Sequence, residues 1–236
     1  MALDRQPSSH PILEGREIEA RALSDAVRRL IDLSVINTAP LDETVKLTNE
    51  LNLVADRLEQ YVPKIRPPRY VMPKEESPDA LMRRPPLGSS IPFDFIVGTH
   101  NPLALPVVLE FDPPKAIGRA CFSAPYEGAP GCVHGAAIAG TFDIVLTAAN
   151  SIDGLTGPTV NLSVDYLKPT LVDEEAVFEA WVESRTTRRV YSRGRIIQNG
   201  VVTVEASGEF AQWQRGEVSQ LSKYAKHRKR QVESAD

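Results

Sequence analysis

The sequence has few of the residues that build covalent or metal-stabilised frameworks. Its 236 residues include two cysteines and four histidines, and none of them shows C-x-x-C or H-x-x-x-H spacing. This content excludes a disulfide framework and gives no support to a metal site, so we expect no metal. The net charge of -4 argues against nucleic acid as the partner, because nucleic-acid-binding domains are usually basic.

Long apolar runs are also lacking. No stretch of about 18 apolar residues occurs, and residues 1–20 contain no apolar segment of signal-peptide length. We therefore expect a cytoplasmic protein without a secretion signal or a membrane span. The 42% of hydrophobic and 25% of charged residues are typical of a soluble globular protein that buries one core of ordinary size.

The first part of the chain is predicted to be a helical extension, residues 1–62. Apolar residues recur at helical spacing over 15–33 and 40–62, which indicates two amphipathic helices. Residues 63–102 then contain nine of the nineteen prolines. Proline removes backbone donors and fixes φ, so this segment is predicted to be an irregular connector.

From residue 103 to 213 the pattern predicts one α+β domain. Short strand-like runs cover 104–112, 116–124, 157–169, 175–185, 189–199 and 201–213, and an apolar helix separates the second from the third. Asn199-Gly200 is a strong hairpin signal. The order β-β-α-β-β-β-β favours an antiparallel sheet wrapped around a central helix. Residues 214–236 are predicted to be a basic flexible tail.

One carboxylate, Asp143, lies in the middle of the apolar helix. An ionised carboxylate in such surroundings is costly unless something solvates or pairs it. Two interpretations stay open here. Asp143 faces a functional cleft, or it is a structural residue that accepts a hydrogen bond from a neighbouring hydroxyl such as that of Thr141 or Thr147.

The helix begins at a His-Gly pair that favours the functional interpretation. Gly135 lets a ligand approach free first-turn amides, which suit an oxygen that becomes negative during a reaction. From His134 to Asp143 the helix rises about 13.5 Å and turns about 900°, which predicts opposite sides of the helix. If the His-Gly pair and Asp143 both act on one bond, the site must lie between two copies of the chain.

These residues carry a family resemblance. "EGAPGCVHGAAIAGTFD" followed by "GPTVNLSVDYLKP" resembles the hotdog-fold acyl-CoA thioesterases of the phenylacetate-pathway type, which are related to the 4-hydroxybenzoyl-CoA thioesterases. The resemblance covers residues 101–213. It rests on the combination of His-Gly, an Asp nine residues on, a Thr sixteen residues beyond that, and a Tyr-Leu-basic-Pro strand end.

The resemblance implies a role for each residue. The Gly135 amide would polarise the thioester carbonyl, and Asp143 of the partner chain would act as general base or nucleophile. Thr159 would position the attacking water, and His134 would hold the turn or help to bind the thioester. The chain departs from the family at two positions, with Ala136 where a second glycine is common and Gly128 where some members have asparagine.

Coenzyme A, as part of the substrate, requires cations for its phosphates, and no other cofactor is expected. "RTTRRVYSRGR" concentrates arginines whose planar guanidinium groups suit phosphate. Arg188, Arg189 and Lys168 are the candidate contacts. The alternative for each is a solvated charge on the outer sheet face.

The resulting prediction is a hotdog-fold acyl-CoA thioesterase that hydrolyses an acyl-CoA to free acid and CoA. It would act as a homodimer, or as a tetramer of such dimers. The alternative is a non-catalytic acyl-CoA-binding or regulatory hotdog protein, with the helical extension as a lid or partner-binding element. A hotdog hydratase is disfavoured because no histidine follows Asp143 before the tail.

Overall fold

The computed structural model describes residues 10–64, 91–155 and 157–212. Most of the predicted proline-rich connector and all of the predicted tail, 214–236, lie outside the described residues. The described elements are α1 (Glu17–Ile36), α2 (Leu41–Glu59), β1 (Val107–Asp112), β2 (Lys115–Cys121), α3 (Gly135–Ile152), β3 (Thr159–Tyr166), β4 (Glu175–Arg185), β5 (Arg189–Gln198) and β6 (Val201–Ala211). Two short 3₁₀-helices add Pro11–Leu13 and Ala124–Tyr126.

The six strands form a single antiparallel sheet in the order β1-β2-β4-β5-β6-β3. Asn199 and Gly200 join β5 to β6 with φ values of 52° and 76°, as the hairpin signal predicted. In β5 the even-numbered residues are buried and the odd-numbered ones face outward. The predicted α+β architecture, an antiparallel sheet wrapped around a central helix with an N-terminal helical extension, is confirmed.

Helix α3 lies on the concave side of this sheet. Eight of its 18 residues are buried. Phe142 contacts Phe178 of β4 edge to face, with ring centroids 5.1 Å apart. With a mean hydropathy of 1.3, α3 is long and apolar enough to cross a membrane, but the core helix of a soluble protein has the same composition.

The outer face of the sheet carries cross-strand ion pairs. They are Lys115–Glu179, Arg195–Glu179, Arg193–Glu183, Arg189–Glu209, Arg119–Glu110 and Arg119–Glu175. Alternation along the strands places these side chains on the outer face, with Glu179 partly covered by its partners, while the opposite face packs on α3. One side of the sheet is therefore a solvated surface and the other is the core.

The N-terminal extension consists of the two predicted helices, and α1 is attached to His100 and Ser123 by polar contacts. Ser24 Oγ donates to the carbonyl of His100 at 2.9 Å, and Asp32 Oδ1 accepts from Ser123 Oγ at 2.8 Å. Acidic residues in the first turn suit both helix dipoles. Helix α2 contains no buried residue.

Candidate active site at the edge strand

A tight loop, residues 127–134, precedes α3. The amide of His134 donates to the carbonyl of Tyr126 at 2.7 Å, and the Gly128 amide donates to the carbonyl of Cys132 at 2.9 Å. The side chain of Glu127 accepts a hydrogen bond from the amide of Gly131, which links the two sides of the loop. The loop is held by its own hydrogen bonds, and Glu127 acts in it as a structural carboxylate.

Gly128 explains one departure from the family pattern. A Cβ atom at this position would lie 2.9 Å from the Cα atom of His134, which is closer than packed atoms approach. Asparagine therefore does not fit here with the present backbone. The substrate contact that some members obtain from asparagine is not available at this position.

His134 is the N-cap of α3. Its Nδ1 accepts a hydrogen bond from the amide of Ala136 at 3.0 Å, so a proton on the neutral ring lies on Nε2. The ring is exposed and holds the turn through this bond. The second predicted role of His134, binding of the thioester, stays a prediction.

Gly135 is the first residue of α3. No acceptor for its amide is recorded among the described residues, whereas its carbonyl accepts from the hydroxyl of Tyr166 at 2.9 Å. A Cβ atom on Gly135 would lie 3.0 Å from that hydroxyl oxygen and 3.2 Å from Cζ. Glycine therefore leaves room for Tyr166 and presents a free amide at the positive end of the helix.

Tyr166 belongs to the family motif, but its contact with Gly135 was not predicted from the sequence. Partial burial raises the pKa of Tyr166 above its ordinary value of 10.0, so the phenol is a protonated donor at neutral pH. No sequence signal links the end of a strand to a glycine 31 positions earlier. Only the folded arrangement of β3 beside α3 shows this contact.

Asp143 lies in the middle of α3, about two turns beyond Gly135. Its Oδ1 accepts from Thr159 Oγ1 at 2.6 Å, and no cation lies within 4.0 Å of its carboxylate among the described residues. Thr141 and Thr147 both donate to backbone carbonyls, so neither satisfies the carboxylate. The half-buried Asp143 is thus held by a strand hydroxyl and not by its own helix.

The predicted relation between the start of α3 and Asp143 needs one correction. Gly135 and Asp143 both contact β3, through Tyr166 and Thr159, so they lie on the same flank of the helix and not on opposite sides. Counted from Gly135, eight residues turn about 800°, a net rotation of only about 80°. They remain about 12 Å apart along the axis, too far to act on one bond within one chain.

An open cleft of about 410 Å³ adjoins the start of α3. Its lining consists of Gly128, Ala129, Cys132, Val133, His134, Gly135 and Tyr166. Asp143 and Thr159 are not part of this lining. One chain therefore presents the free amide and the held carboxylate as two separate half-sites.

The predicted phosphate contacts lie at the two ends of β3. Arg188 and Arg189 stand beside the end of β6, near the Thr159 end, whereas Lys168 follows Tyr166 at the other end. Arg189 Nε donates to Glu209 at 2.7 Å. In the described part of the chain, Arg188 and Lys168 have no recorded ion pair and are exposed.

Neither a metal site nor a disulfide is recorded in the described ranges. No group of three histidine, cysteine, aspartate or glutamate residues there could hold a metal ion. Cys121 and Cys132 are both free thiols. The polar groups of the two half-sites are a carboxylate, hydroxyls, an imidazole and a backbone amide, which suit proton transfer and oxyanion binding.

Similar proteins agree with this architecture. Residues 130–205 match the family model described as thioesterase superfamily. A crystal structure described as a thioesterase superfamily protein is similar over 88% of this chain and 93% of its own, with a TM-score of 0.67 and 28% identity. No curated protein sequence matches the chain.

Two further solved structures are similar over smaller parts of the chain. The Escherichia coli PaaI protein from the phenylacetic acid degradation operon has a TM-score of 0.44 and 15% identity, over 47% of this chain and 81% of its own. A hypothetical thioesterase from Streptococcus pneumoniae, solved with coenzyme A, has a TM-score of 0.41 and 18% identity, over 43% and 83%.

The thioesterase superfamily protein with 28% identity is similar over 88% of this chain. This is more than the sheet and α3 contain, so the similarity includes the N-terminal extension. Together with the family model it supports a function of thioesterase type. Residues 130–205 carry the thioesterase-superfamily pattern on a hotdog fold, and the resemblance predicted from the sequence is confirmed.

Proposed function

We propose that the protein is an acyl-CoA thioesterase whose two equivalent sites lie between two copies of the chain. Each site would combine Asp143 and Thr159 of one copy with the Gly135 amide of the other. The products are a free acid and coenzyme A. This assignment makes the dimer a requirement of the chemistry.

The observation that carries the proposal is the placement of both half-sites along one edge strand. Thr159, the first residue of β3, holds Asp143, and Tyr166, the last residue, holds Gly135. Two β3 strands that pair antiparallel about a two-fold axis bring the first residue of one beside the last residue of the other. Such pairing would join the two half-sites of different chains.

The exposure of β3 supports this pairing. Six of its eight residues are exposed, and only Leu162 and Val164 are half-buried. Because β3 is at the edge of the sheet, its outer backbone N–H and C=O groups are a ready template for another strand. The exposed apolar side chains Val160 and Leu167, at 50% and 54% exposure, would be covered by the same contact.

The proposed reaction is the addition of water to the thioester carbonyl carbon. Asp143 accepts a proton from the water, whose oxygen forms the new bond to carbon while the carbonyl π electrons move to oxygen. The Gly135 amide donates to that oxyanion. On collapse the C–S bond breaks, the sulfur leaves with its electron pair as a thiolate, and the proton passes from Asp143 to this thiolate to give the thiol.

The same geometry allows a second mechanism, in which Asp143 is the nucleophile. The carboxylate would attack the thioester carbon itself, expel the thiolate and form an anhydride, which water then hydrolyses to regenerate Asp143. Thr159 supports both mechanisms, because its hydroxyl donates to Oδ1 and leaves Oδ2 without a recorded donor among the described residues. The Gly135 amide serves the same oxyanion in each.

The coenzyme A part of the substrate would bind at the ends of the paired β3 strands. Antiparallel pairing brings Arg188 and Arg189 of one copy toward Lys168 of the other. Arg188 and Lys168 are available for phosphate without breaking a recorded ion pair in the described ranges, whereas Arg189 would have to leave Glu209. The proposal therefore favours the first two as phosphate contacts.

The test is thiol release from short, long and aromatic acyl-CoAs by the wild type and by Asp143→Asn. The variant keeps the shape of the side chain but loses the proton acceptor, so turnover should fall by at least about 100-fold. Asp153→Asn, at the exposed end of the same helix, is the matched control and should be fully active.

Two outcomes would count against the proposal. Substantial turnover by a folded, dimeric Asp143→Asn variant would remove Asp143 from the mechanism. No turnover of any thioester by the wild type, with tight acyl-CoA binding, would replace hydrolysis by the ligand-binding function that is the alternative for this fold.

A further inference from the structure

Helix α2 is an amphipathic helix that nothing in the described chain covers. None of its 19 residues is buried. Large apolar side chains on it stay accessible to solvent, among them Leu47 at 45%, Leu51 at 47% and Leu58 at 43%. A surface helix of a globular protein normally packs its apolar stripe on a core, so this stripe lacks the surface it would cover.

The stripe has the spacing of a coiled coil. Leu47, Leu51, Val54 and Leu58 follow one another at intervals of four, three and four residues, and Tyr61 continues the pattern just beyond the helix. This alternation corresponds to the a and d positions of a heptad, with Leu51 and Leu58 at a. We call the first four residues the α2 seam. A narrow stripe of this spacing is typical of a seam that packs against another helix.

We propose that the α2 seam binds the α2 seam of a second copy of this chain, with the two helices antiparallel. In this register Leu51 of one copy packs against Val54 of the other, and Leu47 packs against Leu58. The arrangement is symmetric about a two-fold axis between residues 52 and 53. It does not depend on the proposed hydrolysis, and it gives the N-terminal extension a role in assembly.

Charge complementarity identifies a second copy as the partner. Glu50 and Arg57 flank the seam on the same side, one heptad apart, and neither has a recorded ion pair among the described residues. Antiparallel pairing places Glu50 of each copy opposite Arg57 of the other, giving two equivalent ion pairs. The sequence is thus complementary to itself.

The parallel arrangement offers no such complementarity. It would place Glu50 opposite Ala55 and Arg57 opposite Val62, which carry no charge. A helix of 19 residues is marginal as an isolated pair in water, so the contact gains from a second connection between the same copies. Pairing through β3 would supply that connection by raising the effective concentration of one α2 near another.

The experiment reverses single charges in the full-length protein. Glu50→Arg places two arginines opposite each other, and Arg57→Glu does the same with two glutamates. Where the α2 seam joins copies that β3 does not join, each variant should show an apparent mass two-fold below that of the wild type in light scattering. A 1:1 mixture of the two should recover the wild-type mass, because every mixed pair is complementary. Asp56→Arg, on the opposite side of α2, is the control and should keep the wild-type mass.

A cross-link covers the case in which β3 holds the same two copies together and the mass does not change. In the Arg57→Lys variant, a carbodiimide should join Glu50 of one copy to the amine introduced in the other, and a mixture of isotopically light and heavy chains should give the mixed product. Adding Glu50→Gln should abolish it. Unchanged mass in both charge variants, together with no interchain link between positions 50 and 57, would overturn the proposal.

Discussion

The two edge strands of the sheet, β1 and β3, differ in how far the same chain buries them. In β1 the inward-facing Val107 and Leu109 are buried, with 9% and 4% exposure, and they alternate with exposed residues. In β3 neither face is fully buried, although the strand is longer and lies against α3. One chain therefore buries the inner face of β1 but buries no residue of β3. We call β3 the unfinished edge.

The unfinished edge is also the one that contacts the candidate site. Thr159 and Tyr166, at the two ends of β3, hold Asp143 and Gly135 of α3. The β1 edge instead carries a solvated pair, Arg119 with Glu110. The exposed strand and the candidate site residues thus lie at the same edge of the sheet. This favours a site that is complete only when a second copy is present.

The largest effect is expected from a charge in the middle of β3. Ser163 is exposed near the centre of the strand, so Ser163→Lys would place two like charges close together across the proposed two-fold axis. We expect turnover near background, because Asp143 and Gly135 of different chains would separate, and monomers when Glu50→Arg also disrupts the α2 seam. Light scattering and thiol release measure the two effects.

The matched control for this prediction is Val108→Lys on the β1 edge. Val108 is 56% exposed and points to solvent, so the lysine should change neither mass nor turnover. A monomeric Ser163→Lys variant with normal turnover would show that one chain contains a complete site. A Ser163→Lys variant that keeps the wild-type mass and turnover would show that the β3 strands do not pair.

A smaller effect is expected at the Thr159 end of β3. Thr159→Val keeps the shape of the side chain but removes the donor to Asp143 Oδ1. The carboxylate would lose its fixed orientation, and we expect kcat to fall by about 10- to 100-fold with little change in KM. Thr159→Ser keeps the hydroxyl and should retain most of the activity. Equal losses in the two variants would assign the effect to packing.

A still smaller effect is expected at the Tyr166 end. Gly135→Ala would bring a methyl group against the Tyr166 hydroxyl and shift the amide that binds the oxyanion, for a loss of about 10-fold in kcat. Tyr166→Phe removes the closest atom, so adding it to Gly135→Ala should restore part of that loss. The double-mutant cycle measures this coupling. Strictly additive effects would mean that the two residues act separately.

The sequence predicted the elements well because their signals are local. Period-two alternation, the Asn199-Gly200 turn and the apolar helix with its His-Gly entry each occupy a short segment. Residues 15–33 and 40–62 were predicted to be helical, and α1 and α2 are found there with slightly shifted ends. The first helix runs on to Ile36 because no strong helix breaker precedes Pro40.

The contacts between elements were less predictable. Asp143 and Thr159 were paired only through the family resemblance, and the bond from Tyr166 to Gly135 has no counterpart in any local pattern. The isolation of α2 could not be predicted either, because an apolar stripe does not show by itself whether it packs on the same chain. These features depend on which surfaces meet in the folded chain.

The smallest effect is expected far from the β3 edge, at Glu179 on the outer face. Burial raises the pKa of this carboxyl, but hydrogen bonds and charge from Arg195 and Lys115 outweigh it, so the pKa lies below its ordinary value of 4.5. A lowered pKa in the folded state stabilises the protein above pH 4.5, and the contribution disappears as the pH falls through the folded-state value.

Glu179→Gln should therefore lower the free energy of unfolding at pH 7 by about 1 kcal/mol or less, as is usual for pairs near the surface. The difference from the wild type should shrink as denaturant titrations are repeated at pH values below 4.5. Thiol release at pH 7 should be unchanged, because this face of the sheet points away from α3. A loss of turnover without a loss of stability would mean that the outer face takes part in substrate binding.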